Sequence, residues 1–132
     1  MSDESALVND IMTKKVITVR ADRPVPEAIE SMVKSDISGI VVVDHVGDVV
    51  GMITAIDVFK IFNEDEGSDR DFIAEDIMTP FIINIQPETP AEDAARSMLE
   101  NGIHRLVVTE TPSKRKPVGI ISSTDILRAF EF

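Results

Sequence analysis

Two stretches hold the residue types best suited to chemistry. They are Gly51-Met52-Ile53-Thr54-Ala55-Ile56-Asp57 and Gly119-Ile120-Ile121-Ser122-Ser123-Thr124-Asp125. In each, an apolar strand ends at a hydroxyl residue, and an acid follows three positions later in what reads as the first turn of a helix. That arrangement suits a nucleotide. A helix N-terminus presents unpaired amides and the positive end of its dipole to phosphate. The hydroxyl of Thr54 or Ser122 can add a phosphate contact. The carboxylate of Asp57 or Asp125 can accept both hydrogen bonds of a ribose 2′,3′-diol. Hydrogen bonds to a charged group contribute roughly 1.5–3 kcal/mol each. A few of them with a buried adenine reach micromolar affinity, about −8 kcal/mol. The same spacing also describes a helix N-cap with its acid at N3, which stabilises the fold and binds nothing. On these residues alone the cap is the stronger reading. Both can hold at once, because a ligand can displace a cap bond.

The elements that must position these residues are written twice. At an offset of 66, Asp10-Ile11-Met12-Thr13 falls on Asp76-Ile77-Met78-Thr79, and Ile17 falls on Ile83. Pro24 meets Pro90, Ala28 meets Ala94, Ser31-Met32 meets Ser97-Met98, and Val41-Val42 meets Val107-Val108. From position 10 to 44, 12 of 35 positions are identical. The offset then becomes 68 and aligns Gly51 with Gly119 and Asp57 with Asp125. The two extra residues lie within 110–117, a turn-like stretch where insertion is cheap. Such internal self-similarity marks a duplicated structural unit.

Each copy reads as β-α-β-β-α, an α/β (α+β) fold class. The first strands are expected at 16–19 and 82–85. The helices that follow would place Pro24 and Pro90 in their first turn, and Thr89 with Glu92 has capping-box spacing. Ala28, Ile29, Met32 and Val33 form an apolar stripe, with Ala94, Ala95, Met98 and Leu99 as its twin. Strands at 39–44 and 49–53 flank a hairpin turn at His45-Val46-Gly47-Asp48. Their counterparts are 105–109 and 118–121, and a last helix begins near Thr54 or Ser122. The division is a first motif over 1–62, an acidic linker over 63–70 and a second motif over 71–132. A unit of about 60 residues buries little surface alone, so two copies sharing a core are favoured.

The last helices carry more apolar surface than one core face needs. At 100° per residue, Val58, Phe59, Ile61 and Phe62 span an arc of about 160°, where a stripe of about 100° suffices. Ile126, Leu127, Ala129, Phe130 and Phe132 spread similarly. The surplus points to a second contact, and a homodimer is expected.

Composition narrows the function classes. The net charge is −11 and cysteine is absent. Disulfides and thiolate metal sites are thereby excluded. General attraction to nucleic acid or anionic membrane is disfavoured. A small anion senses its local site more than the net charge, because screening acts over about 8 Å. Local cations exist at Lys14, Lys15, Arg105 and the run Lys114-Arg115-Lys116, although such a run is more often a solvated loop. No apolar run reaches membrane-span length, and the polar, acidic start lacks signal-peptide features, so a cytoplasmic location is expected. No nucleophile–base pair or phosphate-binding glycine loop is visible, which argues against an enzyme.

The doubled β-α-β-β-α order, the Asp-Ile-Met-Thr starts and the two Gly-x-x-[Ser/Thr]-x-x-Asp endings resemble tandem cystathionine-β-synthase (CBS) domains, the CBS pair or Bateman module. Gly102-Ile103-His104-Arg105-Leu106-Val107-Val108 adds to the resemblance, which covers nearly the whole chain. It implies a pseudo-twofold pair with two clefts between the repeats, binding AMP, ADP, ATP or S-adenosylmethionine, and dimers shaped as flat discs. By position, Asp57 and Asp125 would hold ribose, and Thr54 and Ser122 would approach phosphate. The segments after Thr13 and Thr79, through Ile17 and Ile83, would form adenine pockets. His104 and Arg105 match a position where some members place phosphate-binding cations. Copy one has Ser38-Gly39 there, so unequal sites are expected. No cofactor is required, and Mg²⁺ would enter only with a bound polyphosphate. The expected function is a regulatory sensor signalling to a separate effector protein. The alternative is a ligand-free dimerisation or interaction scaffold.

Overall fold

The structure, a computed structural model, describes residues 6–63, 71–80 and 83–130. In chain order its elements are α1 (Val8–Ile11), β1 (Thr18–Arg20), α2 (Val25–Ser35), β2 (Gly39–Val43), β3 (Val49–Thr54) and α3 (Ala55–Phe59) with a 3₁₀ turn (Lys60–Asn63). There follow α4 (Ala74–Ile77), β4 (Thr79–Pro80), β5 (Asn84–Ile85), α5 (Ala91–Asn101), β6 (Arg105–Thr109), β7 (Pro117–Ser122) and α6 (Ser123–Ala129). The expected fold class holds, with two equivalent sets of elements. The proposed linker lies almost entirely at 64–70, outside the described residues.

The chain forms two compact units, and they are not the same stretches as the sequence copies. One unit is Ile17–Ile82, and the other joins Met1–Val16 to Ile83–Phe132. In the Ile17–Ile82 unit the sheet runs β1-β2-β3-β4. β1 pairs parallel with β2, and β2 and β3 form the antiparallel hairpin. The turn residues act as their types require. Asp44 Oδ1 accepts from the amides of Val46 and Asp48, and Gly47 takes φ 91°, where a side chain would be strained. Val19, Ala28, Met32, Ile40, Val42, Ile53, Val58 and Ala74 make its core. In the other unit β5 runs parallel to β6, and β6 pairs antiparallel with β7. Its core gathers Val8, Ala94, Met98, Leu106, Val108, Ile121 and Ile126. Fully buried Thr109 is satisfied by Asn84 Nδ2 at 3.1 Å and Gln86 Nε2 at 3.3 Å, and its hydroxyl donates to the Thr111 carbonyl.

Each unit is thus completed by a segment that precedes the opposite copy. Val8 is fully buried against second-copy residues, and Ala74 is fully buried against first-copy residues. Two one-turn helices, α1 and α4, make this possible. Asp10 and Asp76 cap them by accepting from the amides of Leu7 and Ile73 at 3.1 and 2.8 Å. The Asp-Ile-Met-Thr repeat is visible in the sequence, but its helical turn is not.

Several local expectations are corrected. The first strands sit later than 16–19 and 82–85, because parallel pairing with β2 and β6 begins at Thr18 and Asn84. Pro24 and Pro90 are N-caps with ψ 144° rather than members of the first turn. Thr89 therefore caps nothing; its carbonyl instead accepts from the Val8 amide at 2.8 Å. The stripe on α2 is only half core, since Ala28 and Met32 are buried while Val33 is 75% exposed. Leu99 on α5 is 82% exposed.

Candidate functional site

The Ser/Thr-x-x-Asp elements stand at the same place in both units, where β3 enters α3 and β7 enters α6. Asp57 Oδ2 accepts from the Thr54 amide at 2.8 Å and from the Thr54 hydroxyl at 3.1 Å. Asp125 Oδ2 accepts from the Ser122 amide at 2.8 Å, and the Asp125 amide donates to Ser122 Oγ at 3.2 Å. The cap geometry is therefore formed in both. It consumes one carboxylate oxygen of each acid. Among the described residues the second oxygen has only a weak neighbour: Thr79 Oγ1 lies 3.4 Å from Asp57 Oδ1, and Arg128 Nη1 lies 3.5 Å from Asp125 Oδ1. Contacts at that length are readily exchanged for a better donor. Each acid is held in one orientation by the backbone and keeps an acceptor in reserve.

A close approach of chains brings Thr79 to Asp57. The segment Met78-Thr79 crosses β3 at Gly51, where a Cβ would stand 2.6 Å from Met78 Sδ and 2.7 Å from the Thr79 carbonyl oxygen. Thr79 pairs with Met52 and Pro80 with Gly51. The other unit repeats this at Gly119, where a Cβ would strike Met12 Sδ. There Thr13 and Ile120 exchange backbone hydrogen bonds at 2.8 and 2.9 Å. The glycine that opens each motif is thus the place where the Met-Thr segment is admitted. The sequence showed both glycines and both Met-Thr pairs without showing that they meet.

The candidate residues divide between the units. Thr54, Asp57, Thr79 and Ile17 belong to Ile17–Ile82, with Ile17 half-buried against that core. Thr13, Ile83, His104, Arg105, Ser122 and Asp125 belong to the other unit, where Ile83 is 38% exposed. Arg105 pairs directly with Ser122 across β6 and β7, and the His104 carbonyl accepts from the Ser123 amide at 2.8 Å. The matching pair in the first unit is Gly39 with Thr54. A cation therefore stands beside one hydroxyl and a glycine beside the other. Arg128, at i+3 from Asp125, was missed in the sequence, although that spacing on a helix is its signal. Among the described residues no group of His, Cys, Asp and Glu is arranged to hold a metal. No helix among the described residues is long and apolar enough to cross a membrane.

The CBS domain family matches this chain twice, over residues 8–64 and 74–131, and the chain belongs to that family as a tandem pair. Among solved structures it is similar to the CBS domain pair of protein MJ0100 in complex with 5′-methylthioadenosine and S-adenosyl-L-methionine. That likeness has 31% identity, a TM-score of 0.79, and coverage of 93% of this chain and 94% of the other. It is also similar to CBSX2, an Arabidopsis thaliana protein, in complex with AMP, with 29% identity, a TM-score of 0.80 and the same coverage of each chain. Among curated proteins, an uncharacterised protein, MJ1225, of Methanocaldococcus jannaschii is 31% identical over 92% of this chain and 41% of its own length. The L-aspartate semialdehyde sulfurtransferase of the same organism is 31% identical over 98% of this chain and 24% of its own length. The chain spans less than half the length of either curated relative.

Proposed function

We propose that this CBS pair is a non-catalytic regulatory module that binds adenosine ligands through Asp57 and Asp125, forms a homodimer and signals to a separate effector protein. The observation that carries the reading is the divided role of the two acids: one oxygen fixed by the cap, the other left for a donor such as a ribose hydroxyl. The AMP, methylthioadenosine and S-adenosylmethionine complexes of similar CBS pairs support the ligand class. The exposed apolar faces of α2, α3, α5 and α6 support the dimer. Signalling requires that ligand favour one conformation of the module over another.

The sites are expected to differ. Ile17–Ile82 contains 14 acidic and 5 basic residues, whereas the other unit contains 10 and 8. Lys14 and Lys15 directly follow Thr13, and Arg105 stands beside Ser122. A polyphosphate therefore suits Asp125 better, and a ligand of lower charge suits Asp57. The test is a thermal-shift panel of AMP, ADP, ATP, methylthioadenosine and S-adenosylmethionine, followed by titration calorimetry. A ligand at 100 times its dissociation constant stabilises the fold by about 2.7 kcal/mol. Asp57→Ala with Asp125→Ala is expected to abolish that shift. A panel with no shift would move the reading to a ligand-free scaffold, and two identical sites would remove the proposed asymmetry.

A further inference from the structure

The chain has six methionines and no cysteine, tryptophan or tyrosine. Its thioethers are therefore the side chains most open to a peroxide. Five of the six lie among the described residues, and burial divides them. Met32, Met52 and Met98 are core residues, 6–8% exposed. Met12 and Met78 are half-buried and stand at the same position of the two copies, one residue past α1 and α4.

Both sulfurs are seated on a glycine. The place a Cβ would take lies 2.4 Å from Met12 Sδ at Gly119 and 2.6 Å from Met78 Sδ at Gly51. A thioether fills such a gap because it is unbranched and tolerates irregular apolar contact. A sulfoxide does not, since its oxygen is polar and can only accept hydrogen bonds. At Gly51 the same place lies 2.7 Å from the Thr79 carbonyl oxygen, so a sulfoxide oxygen turned there faces a second acceptor. At Gly119 the three nearest atoms all belong to Met12. Met78 also leads into β4, which pairs with β3 over two residues, and the next residue, Thr79, brings its hydroxyl to 3.4 Å from Asp57 Oδ1. A segment held by so short a pairing is released at small cost.

We infer that hydroperoxides modify Met12 and Met78 before the other described methionines, and that the Met78 sulfoxide draws Thr79 away from Asp57. The step is a two-electron oxidation of sulfur. A sulfur lone pair attacks the hydroxyl oxygen of the peroxide, the O–O bond breaks and the S–O bond forms. The hydroxyl proton passes to the departing oxygen, which leaves as water or an alcohol. Methionine sulfoxide reductases reverse the change. As a control on ligand binding at Asp57 the inference rests on the proposed function above; the modification itself does not.

The full chain is treated with hydrogen peroxide, and peptide mass spectrometry follows sulfoxide at each methionine. Met12 and Met78 are expected to react about tenfold faster than Met32, Met52 and Met98. Hydrogen exchange should then rise across the β3/β4 pairing, stay low across β6 and β7, and be restored by methionine sulfoxide reductase. Met78→Leu, a swap of similar volume, is expected to keep the β3/β4 pairing under peroxide, whereas Met12→Leu loses it as the parent does. An adenosine ligand that stabilises the parent through Asp57 is expected to bind the oxidised chain about tenfold more weakly. Equal oxidation of all five methionines would overturn the inference, as would a Met78 sulfoxide that leaves the β3/β4 pairing or the ligand affinity unchanged. A parent chain stabilised by no adenosine ligand would instead overturn the proposed function, while the order of oxidation and the loss of pairing would still stand or fall on their own.

Discussion

At the residue scale, short polar side chains here act twice. Asp57 and Asp125 cap helices with one oxygen, and on the proposed function the other accepts from a ligand, so replacing them tests stability and binding together. Loss of a cap costs about 1 kcal/mol, whereas loss of a ribose acceptor removes binding, and calorimetry separates the two. Asp44 offers a purely structural case. The Asp48 amide, aided by the Val46 amide, holds its carboxyl below the usual carboxylate range, while partial burial opposes this. A lowered folded-state pKa means the stabilisation is present above the unfolded value and lost as pH falls through the folded one. Asp44→Asn is therefore expected to be less stable than the parent at pH 7. Chemical denaturation should show that gap narrowing below about pH 4. The capping role of the carboxylates was legible in the sequence because Ser/Thr-x-x-Asp spacing has few structural meanings. Thr79 on Asp57 was not, because 22 residues and a crossing of chains separate them.

At the element scale, the hairpins were readable because apolar runs flank turn residues of unmistakable type. The starts of β1 and β5 were not, since a parallel partner far along the chain sets where pairing begins. The one-turn helices α1 and α4 were also missed. Four residues are too few for periodicity to register; only Asp10 and Asp76, as N3 acids, could have shown them. The crossing at β3 yields a sharp comparison. A methyl at Gly51 meets the backbone oxygen of Thr79, which cannot move without displacing β4, whereas the three atoms nearest a methyl at Gly119 all belong to the side chain of Met12. Gly51→Ala is expected to cost about 1–3 kcal/mol and to weaken ligand binding at Asp57. Gly119→Ala should cost clearly less. Thermal unfolding of the two variants provides the comparison, and equal losses would contradict it.

At the scale of the whole molecule, duplication was plain from counted identities, but the exchange of leading segments was not. Periodicity shows that Val8 and Ala74 belong to repeats; it does not say which core each one enters. The exchange predicts that damage crosses the copies. Val8→Ala removes buried volume from the Leu106 and Ile121 core and is expected to cost about 1–3 kcal/mol. Hydrogen exchange should show the loss at the amides of β6 and β7 while β2 and β3 stay protected. Equal loss in both sheets would argue against separate cores.

The same exchange sets an order of assembly during synthesis. Ile17–Ile82 is continuous, so it can be completed as soon as its own residues have left the ribosome. The other unit is not: Val8 is made before Ile17, yet its neighbour Ile121 is made 113 residues later. At about 5–20 residues per second, the leading segment waits several seconds, tethered to a finished neighbour, before its own sheet exists. A nascent chain stalled after Ile82 should therefore show a protected β2–β3 hairpin and a protease-sensitive α1. The copy written first supplies the last piece to be seated.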